Sequence, residues 1–123
     1  MRINESVEDY LERILILENE NGWARSVDVA AGLNVTKPSV SHATKLLREN
    51  GYIDMDAQSR IRLTPAGREI AERTYERHRL LASFLTHLGV SPETAARDAC
   101  RMEHYISAES FTAICRHAGR QRG

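Results

Sequence analysis

The sequence predicts a mainly α-helical fold, in which a winged helix-turn-helix is followed by a helical C-terminal part. Apolar residues recur at helical spacing in several segments, and prolines and small polar residues stand where helices should begin. Two short alternating segments also flank one polar turn. A short helix, a tight turn, a second helix and a β-hairpin follow one another in the order of a winged helix-turn-helix.

The first helix is predicted from Ser6 to about Asn21. Apolar side chains recur every three or four residues in this segment, so the helix has one apolar face. Ser6 is a suitable N-cap with the acid Asp9 three residues later, and Gly22 is a suitable stop.

The middle of the chain predicts the turn motif and its hairpin. Ser26 can cap a short helix that runs through residues 28–31 before a turn, and Thr36 then caps a second helix from about Lys37 to Glu49. Residues 52–55 and 60–63 alternate apolar and polar side chains around a polar turn, which predicts two antiparallel strands.

Three further helices are predicted in the C-terminal part. Thr64-Pro65 and Ser91-Pro92 each place a cap before a proline, and the helices that they start reach about His87 and about Tyr105. Ser107 caps a last helix to about His117. We therefore predict a winged helix-turn-helix domain over residues 1–75 and a helical domain over residues 76–123.

The composition narrows the class of protein. The chain has 123 residues, of which 41% are hydrophobic and 28% charged, as in ordinary globular domains. It has no transmembrane run and no signal peptide, so we expect a cytoplasmic protein without a membrane partner. Two cysteines make no disulfide framework. The net charge of zero divides into −4 over residues 1–23, +3 over residues 24–80 and +1 over residues 81–123.

The second helix of the turn motif carries basic and hydroxyl side chains, Thr44 among them, opposite a buried side of Val40, Ala43, Leu46 and Leu47. Such a helix can lie in the major groove of double-stranded DNA, with its first residues at base edges and its Lys and Arg at phosphates. A solvated helix face is the plain alternative, but the order of the elements favours DNA. The candidate DNA-binding residues are Arg25, Thr36, Lys37, Pro38, Ser39, Ser41, His42, Lys45, Arg48 and Arg60.

Metal-capable side chains form three groups along the chain. Residues three or four apart share one face of a helix, so each group directs its donors to one side and all three could bind one divalent ion. The groups are Asp9 with Glu12 in a D-x-x-E run, His78 alone, and Cys100, Glu103 and His104 in a C-x-x-E-H run.

Most of these residues also have a structural explanation. Asp9 could complete a capping box, His78 falls on an apolar stripe, and Cys100 could be a small core residue. Glu103 is harder to explain, because it lies with Ala96, Ala99 and Cys100 on the face that should pack inward. An unpaired carboxylate is costly to bury, so Glu103 requires a cation.

At these positions the chain resembles the diphtheria-toxin-repressor family of metal-activated repressors, and within it the manganese transport regulators. The similarity covers nearly the whole chain. It includes SVEDYLERI from Ser6, TPAGR from Thr64, RHRLL from Arg77 and ACRMEH from Ala99, the last of which is very close to the iron-sensing branch.

The resemblance implies a ligand set that mixes two branches of the family. Position 100 is normally Glu in the manganese branch, whereas Cys100 matches the iron branch, and Ala82 and Ala96 replace two residues of that branch's ancillary metal site. We therefore expect no ancillary site, and Mn(II) or Fe(II) at the main site, with Co(II) or Zn(II) able to bind in vitro. The residues that match ligand positions of the manganese branch are Asp9, Glu12, His78, Glu103 and His104.

The resemblance also implies a function. The helical part should be a dimerisation domain without an SH3-like domain after it, and the protein should be a metal-activated repressor of metal-homeostasis genes that binds operator DNA as a homodimer. No hydrolase motif such as G-x-S-x-G or H-E-x-x-H is present, so we expect neither an enzyme nor a small-molecule substrate. The alternative is a metal-independent winged-helix regulator that responds to a small organic ligand.

Overall fold

The computed structural model describes residues 2–122, with side chains as far as residue 118; the predicted domain ends Met1 and Gly123 lie outside the described residues. The chain folds as two compact units that divide between Arg73 and Thr74. The predicted fold class is confirmed. The elements are α1 (Glu5–Asn21), α2 (Ser26–Leu33), α3 (Lys37–Glu49), β1 (Ile53–Met55), β2 (Ile61–Leu63), α4 (Pro65–His87), α5 (Pro92–Tyr105) and α6 (Ala108–Arg122).

Helix α1 begins earlier than predicted, because Asn4 and not Ser6 is its N-cap. The Asn4 side chain accepts a hydrogen bond from the Val7 amide at 3.0 Å. Gly22 ends the helix as predicted, with a positive φ of 87° and its amide donating to the Glu18 carbonyl. Because the cap lies two residues upstream, Ser6 is inside the helix and is not the N-cap residue that the predicted capping box requires.

The helix-turn-helix consists of α2 and α3. Ser26 does not cap α2 as predicted, because it is already the first helical residue and Arg25 holds the N-cap position. Thr36 caps α3 as predicted, accepting a hydrogen bond from the Ser39 amide at 3.3 Å. The buried side of α3 differs from the prediction by one position: Thr44 is buried, whereas Leu46 is 37% exposed. The Thr44 hydroxyl donates to the Ser41 carbonyl at 3.2 Å, so this polar side chain can be buried without losing its hydrogen bond.

The hairpin of β1 and β2 forms the wing. The two strands pair in an antiparallel register in which Ile53 faces Leu63, and Ala24 adds an isolated bridge to Ile61. Both of the bridge's hydrogen bonds are short, at 2.8 and 2.7 Å. The core of the first unit therefore joins the wing to the helices, and its fully buried large side chains are Leu11, Ile14, Val29, Val40, Leu47, Ile53 and Ile61.

Glu18 ties three elements of the first unit together. One carboxylate oxygen accepts a hydrogen bond from the Leu63 amide of β2 at 3.0 Å, and the other forms an ion pair with Arg68 of α4. The side chain of Glu18 is only 15% exposed. This ion pair is therefore partly shielded from water and helps to hold the end of the wing between α1 and α4.

The second unit is helical. Ser91 and Ser107 each accept a hydrogen bond from the amide three residues later, which fixes the starts of α5 and α6. Helix α6 continues to Arg122, past the predicted end at about His117, because a single glycine costs a helix only ~1 kcal/mol. None of the helices among the described residues is long and apolar enough to cross a membrane.

The inward face of α5 also differs from the prediction by one position. Ala95, Ala99 and Glu103 are buried, whereas Ala96 and Cys100 are exposed. Cys100 is therefore not a core residue, and Glu103 is the charged residue that this helix buries.

Candidate metal centre and nucleic-acid interface

The outer face of α3 is exposed along its whole length. The two cationic side chains nearest its C-terminal end, Lys45 and Arg48, project from this face, and the first acid of the helix is Glu49. Such a face suits a polyanion, because the polar groups that it carries before Glu49 are hydroxyl, imidazole and cationic groups. The exposed candidates on α3 are Lys37, Pro38, Ser39, Ser41, His42, Lys45 and Arg48.

The N-terminus of α3 is built around two hydroxyls. Thr36 and Ser39 lie 2.8 Å apart between their side-chain oxygens, and both residues are exposed. The positive end of the helix dipole adds to the attraction for phosphate at this end. Arg25, the residue before α2, is exposed and makes no side-chain cap, so its charge is presented to solvent.

Arg60 of the wing is engaged within the protein. Its Nε donates to Asp56 at 2.7 Å, and its guanidinium carbon lies 5.0 Å from the centroid of the Trp23 ring. The Arg60 backbone amide, its guanidinium and the Gln58 amide all donate to Asp56. Together they hold the pKa of this carboxyl below its usual value against the opposing effect of burial. Arg60 therefore shapes the wing loop, and its part in DNA binding stays a prediction.

Three of the six metal-ligand candidates converge within the second unit. The Glu103 carboxylate lies between two imidazoles, with Oε2 at 3.0 Å from His78 Nδ1 and Oε1 at 3.4 Å from His104 Nε2. The Glu103 side chain is 0% exposed, that of His104 is 1% exposed and that of His78 is 27% exposed. Helix α4 supplies His78, and successive residues of α5 supply the other two.

The chemistry of this cluster fits a divalent cation. Among the described residues, neither carboxylate oxygen of Glu103 accepts a hydrogen bond. A buried carboxylate without hydrogen bonds is costly, and the cost is removed when a metal ion shares the site with the two imidazoles. Imidazole and carboxylate donors together suit Mn(II), Fe(II) and Zn(II).

The other three candidates lie on two helices. Cys100 is exposed on α5, one turn before Glu103. Asp9 and Glu12 lie one turn apart on α1 in the first unit, and both are half-buried. The structure thus brings His78, Glu103 and His104 together within one unit and places the two acids of α1 in the other.

Two residues that shape these sites are missed by reasoning from the sequence. Asp56 reads as part of a polar turn, although its spacing of four from Arg60 is that of an ion pair. Arg77 belongs to a segment that carries the family resemblance and lies beside His78. Its guanidinium contacts residues about thirty positions away, so no local pattern could have found it.

Comparison with known proteins matches the two halves of the chain to two different domains. Residues 2–60 match the family described as "Iron dependent repressor, N-terminal DNA binding domain", and residues 64–122 match "Iron dependent repressor, metal binding and dimerisation domain". The transcriptional regulator MntR of Salmonella typhimurium is 45% identical over 110 residues, which are 89% of this chain and 70% of that protein.

Solved structures show the same fold. The crystal structure of IdeR from T. acidophilum superposes with a TM-score of 0.84 at 28% identity, over 97% of this chain and 55% of that one. The manganese regulator SloR gives a TM-score of 0.80 at 28% identity, again over 97% and 55%. The chain thus spans about half the length of these solved relatives. With matches over both of its halves, the chain belongs to the iron-dependent repressors of the diphtheria-toxin-repressor family.

Proposed function

We propose that this chain is a metal-activated transcriptional repressor that binds double-stranded operator DNA as a homodimer and controls genes of metal-ion homeostasis. It responds to Mn(II) or Fe(II), as the repressors of its family do. It acts in the cytoplasm, where it catalyses no reaction and has no small-molecule substrate. The observation that carries this proposal is the buried Glu103 carboxylate between two imidazoles.

The full ligand set that we propose adds three residues to this cluster. Asp9 and Glu12 direct two carboxylates from one face of α1, and Cys100 lies one turn before Glu103 on α5. Carboxylates and imidazoles favour Mn(II) and Fe(II), whereas a thiolate shifts the preference towards Fe(II), Co(II) or Zn(II). The identity of the residue at position 100 therefore sets the order of metal affinities.

The proposed mechanism is the removal of electrostatic repulsion. Asp9, Glu12 and Glu103 repel one another when they are brought close, and a divalent cation supplies the positive charge that offsets this repulsion. Helix α1, which carries Asp9 and Glu12, packs on both helices of the turn motif. Fixing these two carboxylates therefore fixes the helix that supports α3.

The proposed DNA complex follows from two-fold symmetry. In a homodimer, two copies of α3 enter successive major grooves when they are about 34–36 Å apart, which is one turn of DNA. The side chains of Ser39, Ser41 and His42 then face base edges, while Lys45 and Arg48 face phosphates. Metal binding restricts the position of α3 in each protomer. The distance between the two α3 helices that fits DNA is then favoured over the other distances that the metal-free dimer samples.

A metal titration tests the proposal. Apo-protein is titrated with Mn(II), anaerobic Fe(II), Co(II) and Zn(II), and the anisotropy of a labelled palindromic DNA pool is followed at fixed salt. We expect DNA affinity to rise with metal and fall again with chelator in the wild type, but not in Glu103→Gln, which keeps the size of the side chain and removes its charge. DNA affinity that ignores every metal would overturn the proposal and favour the regulator of an organic ligand.

A further inference from the structure

Arg77 joins α4 to the end of α5 and the start of α6. Its Nη1 donates to two backbone carbonyls, those of Glu103 and Ile106, each at 3.4 Å. Its guanidinium carbon also lies 5.2 Å from the centroid of the Phe111 ring in α6. One side chain of α4 thus contacts both helices that follow it in the second unit.

The Glu103 carbonyl lies in the last turn of α5, where a carbonyl needs a donor from outside the helix. Helix α5 ends at Tyr105, and the extended residue that follows it, Ile106, supplies the second carbonyl. A cation at this end also complements the negative end of the helix dipole. Arg77 meets both requirements at once, since a guanidinium carries several donors and a permanent charge.

The position of Arg77 couples this cap to the metal cluster. The carbonyl that it binds belongs to Glu103, whose carboxylate lies between the two imidazoles. The next residue of α4, His78, supplies one of those imidazoles. The same pair of helices is therefore fixed at the backbone by Arg77 and joined at the side chains by His78 and Glu103.

We propose that Arg77 is a positioning residue of the metal centre, and that it holds the last turn of α5 so that Glu103 and His104 face His78. This inference rests on the proposed function, because it takes the cluster to be the metal site. Outer partners that orient metal ligands typically contribute 10–100-fold to metal affinity. Such partners usually bind the side chain of a metal ligand, whereas Arg77 donates a hydrogen bond to the backbone carbonyl of the ligand Glu103.

Arg79 provides a matched control on the same helix. It is exposed, and its guanidinium carbon lies 5.7 Å from the ring centroid of Tyr75, which belongs to its own helix. Arg77→Met and Arg79→Met remove the same charge and keep a long apolar side chain. Only the first removes a donor to α5.

The test measures metal binding without DNA. Mn(II) affinity is determined by competition with a fluorescent chelator, and the visible absorption of bound Co(II) is recorded at saturation as a report on ligand geometry. We expect Arg77→Met to weaken Mn(II) binding by about 10–100-fold and to alter the Co(II) spectrum, while Arg79→Met matches the wild type. Wild-type affinity and an unchanged Co(II) spectrum in Arg77→Met would overturn the inference.

Two further variants separate the possible causes. Arg77→Lys keeps the charge but offers a single ammonium, so we expect an Mn(II) affinity between those of the wild type and Arg77→Met. If circular dichroism shows that apo Arg77→Met does not fold, Arg77→Lys replaces it as the test variant. Wild-type affinity in Arg77→Lys would then overturn the inference.

Glu103→Gln tests the metal site itself. If this variant binds Mn(II) normally, the proposed function fails. If Glu103→Gln loses Mn(II) binding and the Arg77 variants do not, only the role of Arg77 is refuted.

Discussion

Gly67 marks a place where α4 and the wing approach too closely for any side chain. A Cβ at this residue would overlap the Tyr52 carbonyl oxygen and would lie 2.9 Å from its carbonyl carbon. The approach is fixed by two hydrogen bonds of Thr64, whose amide donates to Tyr52 and whose hydroxyl donates to Gly51. The close approach is to backbone, so it cannot be relieved by rotating a side chain.

We therefore expect Gly67→Ala to destabilise the protein by about 1–3 kcal/mol, because the start of α4 must move away from the wing. Gly32→Ala is the matched control. Its new Cβ would meet the end of the Arg13 side chain at 2.7 Å, which can move aside, and alanine favours the helix by up to ~1 kcal/mol. Thermal unfolding of both variants measures the difference, and equal melting temperatures would contradict this explanation of the packing.

At the scale of elements, the exposed face of α3 predicts the salt dependence of DNA binding. Replacing Lys45 by Gln should weaken binding to all DNA sequences. The plot of log affinity against log salt should also become shallower by about 0.9 for each phosphate that the protein no longer neutralises. Arg97→Gln, which removes a charge from the exposed side of α5, should leave the slope unchanged. A wild-type slope in Lys45→Gln would show that this lysine binds no phosphate.

The starts of α3, α5 and α6 were predictable because their capping chemistry is local. Thr36, Ser91 and Ser107 each accept a hydrogen bond from the amide three residues later, as their positions before Pro38, Pro92 and Ala108 indicated. The start of α1 was not predictable, because Asn4 and Ser6 are both good caps and nothing in the sequence ranks one above the other. The Val7 amide, which donates to Asn4, decides between them.

Buried faces were predictable only to within one position of a helix. On α3, Thr44 is buried where Leu46 was predicted to be. On α5, Ala96 and Cys100 are exposed although they were predicted to face inward. Each difference corresponds to a rotation of the helix by about one residue. The helical period fixes the spacing between buried residues, but the position of the buried face around the helix is inferred from the apolar residues alone. Thr44 is buried because its hydroxyl bonds to the Ser41 carbonyl, an interaction that the pattern of apolar residues does not include.

At the scale of the whole molecule, the candidate site was predictable in its parts. The spacing within C-x-x-E-H placed Glu103 and His104 on adjacent parts of one helix, and the cost of burying Glu103 indicated a cation. Helix spacing within each group allowed all three groups, His78 among them, to bind one ion, and the family resemblance identified His78 as a ligand position. The role of Arg77 depends on where α5 ends and how α6 starts, which are properties of the folded unit.

In the proposed function, metal binding and DNA binding are thermodynamically linked. If metal raises the affinity for operator DNA by some factor, the same operator at saturation must raise the affinity for metal by an equal factor, typically 5–150-fold. We expect this equality when Mn(II) affinity is measured by chelator competition with and without operator DNA, at the salt concentration used for the DNA titration. A DNA duplex of scrambled sequence controls for charge, because cations gather around any duplex. Glu103→Gln should lose both factors together, since its buried carboxylate is part of the proposed metal centre. Operator DNA that leaves this Mn(II) affinity unchanged, in a protein whose DNA binding depends on Mn(II), would show that the ion coupled to DNA binding is not the one that the chelator competition measures, and would contradict a single coupled metal centre.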